Sequence, residues 1–428
     1  SVFKSLPRTG WEFPDVIESA INEIDERKFI IEVFKKAQHG GLREISIMNY
    51  TSRILQFCVE RLGRLLCSKF PNEAMTHPNV KNSPVLNHFR FIKRHRPSVE
   101  VGGTTTTYTS ADAQTWNQCI PVPAFACLVC SVLPEQTHGF LNKVFSLWLD
   151  KWILLDEHTH KVLQDCSVTF DDPLYDEMSR KCKGGYEPFI RGTPFLRIRS
   201  GMLQGLLHFT SSFYHASILD YWKTNIERIF KCSITYLVSS DDCGTIVTTN
   251  NHDALCKLKL RKHNRSMIPS VLYYTLHLHI ELQRQALCRM LGIYGSYPKS
   301  TICSPSVFEF NSIWNCGVSQ VRACQKFVLA SIGLADTGTL FGRQEQMYTL
   351  RQQALESGVS IKTCIQMSYI QGWFHYVMLG LYCHPLFKTF ATRLQEVKDP
   401  FSGFYLVDAG RCSTLTSCNY LLWKLTNV

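Results

Sequence analysis

Hydrophobic and polar positions follow two different spacings along this chain. Apolar side chains recur every three or four positions from 11 to 37 and from 50 to 70, which predicts two helices joined by the glycine turn QHGGLREI. The segment VGGTTTTYTSAD is rich in threonine and predicts a strand that ends at Asp112. A largely helical section follows to about residue 180, and RKCKGGYEPFIRGTP is predicted to be a loop.

The second half of the chain contains a predicted hairpin. Alternating residues flank SSDDCG, so the spacing predicts two strands with Asp241 and Asp242 at the tip of the turn between them. The pattern also predicts a helix from the SGMLQG turn to about Arg228, a helix from about Ile268 to Met290, and a short strand in VFEFNS. Residues beyond about 320 read as helical. Short strands separated by long helices predict an α+β fold rather than a doubly wound one.

Composition narrows the classes of protein that fit this pattern. With 428 residues, 45% of them hydrophobic, the chain can bury a large core and form more than one domain. The net charge of +11 favours a polyanionic partner, either nucleic acid or an anionic membrane. Basic residues concentrate in NHFRFIKRHRP, where a solvated helix face and a phosphate contact explain the charge equally well. No apolar run reaches the roughly 18 residues that a membrane span requires.

Cysteine usage indicates a reducing compartment. The 18 cysteines are scattered through apolar segments of a long chain, which is typical of free thiols rather than of a disulfide framework. The pair Cys127 and Cys130 lies within AFACLVCSVL without a second pair at zinc spacing, so core packing explains it better than a metal does. The chain starts without methionine and stops within an apolar pattern, so we expect it to belong to a longer polypeptide.

Three aspartates occupy predicted strand ends. Asp112 could simply cap the following helix, and an isolated pair such as Asp241 and Asp242 is more often a solvated turn. If the strands are neighbours in one sheet, however, the three carboxylates converge. Such a group can hold two divalent ions about 3.5 to 4 Å apart for phosphoryl chemistry, and Mg²⁺ prefers all-oxygen ligands.

Other polar groups complete the candidate chemistry. On a helical projection one face carries a polar stripe, which suits contact with a base or sugar but also fits an ordinary amphipathic helix: Gln204, His208, Ser211, Ser212 and His215. Lys35, Lys36 and Arg43 surround the first glycine turn and could grip a triphosphate. Lys299 could act as a general acid, and Glu309 could be structural or lie near the metals.

The order of these motifs resembles that of viral RNA-dependent RNA polymerases. A basic glycine loop, an aspartate followed by tryptophan, SGMLQG with SS, SSDD, PKS and EFNS succeed one another as motifs F, A, B, C, D and E do. The SDD form with Ser240 is similar to that of segmented negative-strand viruses. KAQHGGLREI, GMLQG and EFNS resemble the bunyavirus L protein, and most of all its phenuivirus or phlebovirus branch. Thr115 departs from the family pattern, which usually has lysine there.

The resemblance implies a role for each matching residue. It makes Asp112, Asp241 and Asp242 the acidic residues around two Mg²⁺ ions, which Mn²⁺ could replace, and places Glu309 in the turn that supports the primer end and near the metals. It implies that the following residues bind substrate, template or the nascent pair: Lys36, Gln38, Arg43, Gln204, Gly205 and Ser240. Lys299 corresponds to the lysine of motif D. Both Asp112 and Asp241 are expected to be firm metal ligands.

The resemblance also implies an architecture and a function. We expect a right-hand fold in which residues 1–100 supply fingers elements including motif F, residues 101–318 form a ferredoxin-like palm with a fingers insertion at about 131–199, and residues 319–428 begin a helical thumb. The expected reaction is template-directed RNA synthesis from nucleoside triphosphates. Viral RNA template and product and the viral nucleoprotein are the expected partners, in the host cytoplasm and the virion.

Two alternatives to this function stay open. A reverse transcriptase shares the palm, but its hairpin usually has tyrosine at the position of Ser239. A catalytically silent viral relic that binds RNA would keep the fold without the reaction, although every expected acidic residue is present.

Overall fold

The α+β architecture predicted from the sequence is confirmed by a computed structural model. It describes residues 12–38, 41–95, 103–250, 270–317, 319–322, 324–330, 340–360, 362–364, 366–367 and 370, with side chains for most of them. The chain divides into two compact units, one of Ser1–Lys35 with Glu44–Gln320 and one of Lys36–Arg43 with Val321–Val428.

The described residues form helices and strands in the following order along the chain. The helices are α1 Phe13–Arg27, α2 Tyr50–Cys67, α3 Pro84–His95, α4 Trp116–Cys119, α5 Val122–Val132, α6 His138–Ser146, α7 Glu157–Gln164, α8 Pro173–Gly184, α9 His208–Phe230, α10 Ser270–Met290, α11 Gln325–Ala330 and α12 Leu340–Glu356. The strands are β1 Phe29–Gln38, β2 Gly41–Met48, β3 Thr104–Ala111, β4 Lys151–Leu154, β5 Phe195–Ile198, β6 Ser233–Ser239, β7 Asp242–Asn250, β8 Thr301–Ser304, β9 Val307–Phe310, β10 Ile313–Cys316 and β11 Ser319–Arg322.

The helix predicted for residues 11–37 is wrong from Phe29 onward. Helix α1 ends at Arg27, Lys28 adopts a φ of +60°, and residues from Phe29 onward form strand β1. β-branched Ile30, Ile31 and Val33 favour a strand. Strand β1 also pairs in parallel with β4, starting with Phe29 opposite Lys151, so a distant partner decides between helix and strand.

A four-stranded sheet, called here the central sheet, forms the middle of the first unit. Its strand order is β6-β7-β3-β8, and each neighbouring pair is antiparallel. The elements that build it succeed one another as strand, helix, strand, strand, helix, strand, from β3 through α9, β6, β7 and α10 to β8. The section that contains α4 to α8 is inserted between β3 and α9.

The two faces of the central sheet are covered differently. Helices α9 and α10 pack on one face, where Trp222, Ile226, Leu276 and Ile280 enclose Ile234 and Val247 of the sheet. On the opposite face α3 and β9 contribute to a second cluster, whose members are Ala74, Val85, Tyr108, Leu237, Ile246, Phe308 and Phe310.

A buried histidine anchors each helix layer to the sheet. His88 of α3 hydrogen-bonds to the hydroxyls of Thr235 and Thr248 through both ring nitrogens, at 2.8 and 2.9 Å. On the opposite face His277 of α10 bonds to Thr107 at 2.7 Å and Thr249 at 2.8 Å. Burial lowers the pKa of His88 to about 3 and that of His277 to about 4, so both rings are neutral at physiological pH.

Helix α9 packs closely on α2. The carboxylate of Glu60 in α2 accepts hydrogen bonds from the backbone N–H groups of Phe209 and Thr210, at 2.9 and 3.1 Å, and therefore caps the N-terminus of α9. A Cβ on Gly63 would lie 2.9 Å from the Thr210 nitrogen, so only glycine permits this approach without a backbone shift.

The second unit contains a small helical core. Buried Ala354, Cys364 and Met367 pack there against half-buried Phe327 and Val328. Helices α11 and α12 agree with the helical prediction beyond residue 320, and residues 371–428 lie outside the described residues. Among the described helices, none has the length and apolar character needed to cross a bilayer.

Gly244 is a position where the packing of the sheet can be tested. A Cβ built on Gly244 would lie 2.6 and 2.7 Å from two ring atoms of Phe308, which is fully buried. We expect Gly244→Ala to lower the free energy of unfolding by about 1–3 kcal/mol, because the ring has no room to retreat. Chemical denaturation measures the change. Gly139→Ala is the control: it meets no atom within 4 Å in α6 and should be neutral or slightly stabilising.

Candidate active site

Three carboxylates converge at one end of the central sheet. Asp112 directly follows β3, Asp241 lies in the β6–β7 turn, and Asp242 begins β7. Because β7 is hydrogen-bonded to both β6 and β3, with Cys243 opposite Ala111, the strand ends meet at one edge. One carboxylate oxygen from each aspartate lies within 4.8 Å of the other two, and all three residues are half-buried. The convergence that the sequence predicts is present.

Helix α9 holds the turn that carries the aspartate pair. Ser240 has a φ of +57°, a region that favours glycine, and the residue is only 1% exposed. Its N–H donates to the Ser212 hydroxyl at 3.2 Å, its carbonyl accepts from Nδ1 of His215 at 2.8 Å, and its hydroxyl pairs with that of Ser211 at 3.2 Å. Three hydrogen bonds from one helix face therefore fix the backbone beside Asp241.

The predicted polar stripe on α9 thus has a different surrounding from the one expected. Ser211, Ser212 and His215 are buried against the aspartate turn and do not form a wet surface for a base or sugar. The periodicity placed Ser211, Ser212 and His215 on one face correctly, but it could not identify what covers that face. Gln204 precedes the helix, and His208 is exposed. Buried polar groups need partners, and the turn supplies them for both serines and for Nδ1 of His215.

Glu73, which lies outside the recognised motifs, stabilises the contact between α9 and the aspartate turn. Its buried carboxylate accepts a hydrogen bond from the Ser212 hydroxyl at 2.7 Å. It also accepts from the backbone N–H groups of Met75 and Thr76, at 3.0 and 2.8 Å. The next residue, Ala74, donates its N–H to the carbonyl of Val238 in β6 at 2.8 Å. Sequence reasoning missed Glu73, since one glutamate in a loop carries no local signal.

Negative charge accumulates around Asp242. Burial, followed by repulsion from Asp241, Asp112 and Glu309, raises the pKa of the Asp242 carboxyl to about 7, while Lys81 opposes the rise. In the amide orientation that satisfies both neighbours, Asn311 donates to Asp242 at 2.6 Å and accepts from Lys81 at 3.0 Å. An all-oxygen group with excess negative charge fits a hard divalent cation such as Mg²⁺. The sequence contains no indication of Lys81, and it included Asn311 only as part of the EFNS turn at residues 309–312, without a contact to Asp242.

Lys299 lies beside the first aspartate. Its Nζ is 3.5 Å from Oδ2 of Asp112, and its side chain is 74% exposed. The neighbouring backbone holds Asp112 in place: the Asp112 carbonyl accepts from the N–H of Ser296 at 2.8 Å, and its N–H donates to the Ser300 hydroxyl at 3.2 Å. The segment after α10 therefore places a mobile cation next to this carboxylate.

Glu309 lies next to the three aspartates but outside the group whose oxygens are mutually within 4.8 Å. Its Oε1 accepts from the N–H of Ser312 at 2.6 Å, and its own N–H donates to the Ser110 hydroxyl at 2.8 Å. Asn311 and Ser312 both have positive φ and form the two-residue turn between β9 and β10. The carboxylate of Glu309 thus stabilises the turn that presents Asn311 to Asp242. Its role as a metal ligand stays a prediction.

For the remaining residues that are predicted to bind substrate, the structure gives their position in the fold but not all of their side-chain surroundings. Lys36 and Gln38 belong to β1 and Arg43 to β2, but their side chains lie outside the described residues. Gln204 is half-buried and Gly205 is exposed with a φ of +79°, in the turn before α9. The substrate contacts of these residues, and that of the buried Ser240, stay predictions.

Thr115 stands exposed at the start of α4. It has a φ of +49°, and its hydroxyl lies 3.0 Å from Sγ of Cys119. The side chain brings no charge to the carboxylates, in contrast to the lysine that the family pattern usually has there.

A cavity of about 440 Å³ adjoins the carboxylates on the helix-covered side of the sheet. Asp112, Asp241, His215, Arg284 and Tyr294 are among its lining residues. The guanidinium of Arg284 is buried and bidentate to one oxygen of Glu281, at 2.8 and 2.5 Å. The carboxylate of Glu281 therefore balances the charge of Arg284 within α10.

The contact between α9 and the turn predicts a stability effect. Ser212→Ala would leave the Ser240 N–H without its partner and would remove one of the two hydrogen bonds to Oε1 of Glu73, so we expect a loss of about 1–3 kcal/mol in the free energy of unfolding. Ser217→Ala is the matched control on the same helix, because its hydroxyl bonds only to the carbonyl of Phe213 one turn earlier. Equal losses in urea denaturation would contradict a specific role for Ser212.

The charge around Asp242 predicts a pH-dependent effect in the presence of a chelator. The folded-state pKa of about 7 lies above the unfolded value, so ionisation of Asp242 costs folding energy that is absent below about pH 4 and fully present above pH 7. Asp242→Asn should therefore stabilise the metal-free chain at pH 8 by a few kcal/mol, at about 1.4 kcal/mol for each pKa unit, and little at pH 4. Thermal unfolding at the two pH values measures this. A stabilisation of the same size at both would contradict it.

Comparison with known proteins agrees with this geometry. The family model described as "Bunyavirus RNA dependent RNA polymerase" matches residues 12–420. The chain is 28% identical over 442 residues to RNA-directed RNA polymerase L of Uukuniemi virus (strain S23), covering 99% of this chain and 20% of that protein. The L proteins of Heartland virus and Dabie bandavirus are each 30% identical, over 95% and 94% of this chain and 19% of theirs.

The chain therefore spans about a fifth of the length of these relatives. The match nevertheless covers nearly all of it, including the strands and turns that carry the three aspartates. This chain belongs to the bunyavirus RNA-dependent RNA polymerase family.

Proposed function

We propose that this chain is the catalytic core of an RNA-dependent RNA polymerase that performs template-directed nucleotidyl transfer. The observation that carries the proposal is the convergence of Asp112, Asp241 and Asp242 at one edge of the central sheet. Family membership favours RNA synthesis on an RNA template over reverse transcription. The relatives whose printed name is RNA-directed RNA polymerase L support the same activity.

The proposed architecture is a right hand with a ferredoxin-like palm. The order of elements in the central sheet supports it, because strand order β6-β7-β3-β8 with α9 and α10 on one face is the arrangement of a split βαβ fold. In this proposal residues 101–318 form the palm with a fingers insertion at about 131–199. Residues 1–100 supply fingers elements, and residues 319–428 begin the thumb.

The proposed reaction joins a nucleotide to the RNA 3′ end. The 3′ hydroxyl attacks the α-phosphorus of a nucleoside triphosphate, and pyrophosphate leaves. Two Mg²⁺ ions, which Mn²⁺ can replace, would supply activation of the hydroxyl and stabilisation of the leaving oxygen. Asp112 and Asp241 are the residues that would hold them, with Asp242 completing the negative site.

Other residues of the chain position these groups and move a proton. The hydrogen bonds from α9 to Ser240 keep Asp241 beside Asp112, so the carboxylates do not separate under their mutual repulsion. Lys299 lies at the exposed rim of the same site and is proposed to donate a proton to the leaving pyrophosphate.

The substrate contacts follow from the same proposal. Lys36, Gln38 and Arg43 are proposed to contact the incoming nucleotide. Gln204, Gly205 and Ser240 are proposed to handle the template and nascent pair, and Glu309 to lie near the metals and the primer end. RNA template and product are the proposed partners together with a viral nucleoprotein, in the host cytoplasm and the virion.

One substitution tests the reaction. Asp241→Asn keeps the size of the side chain but removes a charge from the proposed metal site, so we expect magnesium-dependent nucleotide incorporation on a supplied RNA primer and template to fall by on the order of 10³-fold. Single-nucleotide extension assays measure it. Asp171→Asn, at an exposed position in a loop, is the matched control and should extend normally.

The same assay separates the polymerase from a silent relic. A relic would retain RNA but extend no primer in either the unmodified chain or the Asp241→Asn variant. A polymerase extends the primer in the unmodified chain and keeps its RNA affinity in the variant.

A further inference from the structure

The inference concerns the outward face of α3, a helix that no recognised motif includes. Its inward side chains pack on the central sheet and are Pro84, Val85, His88 and Ile92. The outward face carries the exposed cations Arg90, Lys93 and Arg94. We call these three residues with Phe89 and Phe91 the α3 face.

The charge of the α3 face is not balanced locally. The helix sequence PVLNHFRFIKRH contains no acidic residue. Within the described parts of the chain, the ion pairs formed by other surface cations, such as Lys161 with Glu157 and Lys181 with Glu177, have no counterpart at Arg90, Lys93 or Arg94. Three like charges on adjacent turns repel one another, so a polyanion bound there would be favoured electrostatically.

Aromatic side chains flank these cations on the same helix, Phe89 against His88 and Phe91 stacked on His95. Phe89 is 38% exposed and Phe91 42% exposed, which leaves apolar area in water on an otherwise charged face. A merely solvated helix face would gain nothing from these rings, whereas a covered face would.

Helix α3 is held firmly enough to present this face in one orientation. Both ring nitrogens of His88 bond to threonine hydroxyls of the sheet, one on β6 and one on β7. Val85 adds an apolar contact in the cluster with Leu237 and Ile246. The helix is therefore anchored to two strands by its inward side.

Helix α3 packs on the side of the central sheet to which the side chain of Asp242 points. Alternate residues of a strand point to the same side, so Asp242, Gly244, Ile246 and Thr248 share one side of β7. Thr248 contacts His88 of α3, and Asp242 contacts Asn311 of the β9–β10 turn. Helices α9 and α10 cover the other side.

The distance between Asp242 and the contact with α3 can be estimated from their positions along β7. His88 contacts Thr248, six positions after Asp242, which corresponds to roughly 20 Å along a strand. Each base pair of a duplex advances along the helix axis by roughly 3 Å, so about six or seven nucleotides span this distance. RNA whose 3′ end lies at the carboxylates and whose body follows this side of the sheet would reach α3.

We propose that the α3 face binds the phosphate backbone of the RNA duplex about six nucleotides behind the reacting 3′ end. The proposal rests on the polymerase function proposed above. The contact is independent of base sequence, since cations on a helix surface neutralise phosphates. It keeps the duplex on the enzyme between additions and takes no part in the chemistry.

The test removes the three charges and measures RNA binding by the full chain. In the triple variant Arg90→Gln, Lys93→Gln and Arg94→Gln, we expect affinity for a primer–template duplex of about 12 base pairs to fall at least tenfold at low salt. The slope of log affinity against log salt should become shallower by about one for each phosphate that the variant no longer neutralises. Addition of a single nucleotide at saturating RNA should be unchanged, because the carboxylates are untouched.

Two control variants isolate the effect. Lys161→Gln, Arg180→Gln and Lys183→Gln remove the same charge from α7 and α8 and should leave affinity within about twofold, as long-range attraction is screened. Arg90→Lys with Arg94→Lys keeps the charge and should bind nearly as the unmodified chain does. Equal losses in both triple variants, or none in the α3 variant, would overturn the proposal.

A photocrosslink checks the position of the contact. A 4-thiouridine about six nucleotides from the primer 3′ end should crosslink to the α3 peptide, while one at the 3′ end should not. If polyglutamate displaces the RNA and no such crosslink forms, the face binds acidic protein and the proposal fails. If crosslink and affinity loss occur but no primer is extended, the RNA contact stands and the polymerase function fails.

Discussion

Repulsion among three aspartates is the constraint on which the rest of this structure depends. Their carboxylate oxygens lie within 4.8 Å of one another in a half-buried site, and the pKa of Asp242 rises to about 7. Groups with like charge separate unless the fold prevents it. The strand pairing, the cap on α9 and the hydrogen bonds around the turn together hold these groups close to one another.

The restraint is made of buried polar contacts rather than of apolar packing. Ser240 stays in a glycine-like conformation because Ser211, Ser212 and His215 bond to its hydroxyl, N–H and carbonyl. Glu73 orients Ser212 in turn. Hydrogen bonds fix direction as well as distance, so a polar network positions a turn more narrowly than apolar side chains would.

The two faces of the central sheet have different neighbours. Helices α9 and α10 close one face with an apolar core, while α3 and β9 pack on the other, and the β9–β10 turn brings Asn311 and Glu309 to that side. The family match covers nearly the whole chain at 28–30% identity to the three relatives named above.

The sequence by itself determined the elements whose signals are local. The strand before Asp112, the hairpin with Asp241 and Asp242, and helices α9 and α10 follow from alternation, turn residues and helical spacing, and the order of motifs identified the family. Only the tertiary structure decided that residues from Phe29 onward form a strand, because their partner β4 is more than a hundred positions away. It also decided that Ser211, Ser212 and His215 of the stripe are buried. Glu73, Lys81 and Asn311 were likewise brought to the site only by the tertiary structure. A local sequence pattern indicates which residues share one face of a helix or strand, whereas the element that packs against that face depends on long-range contacts.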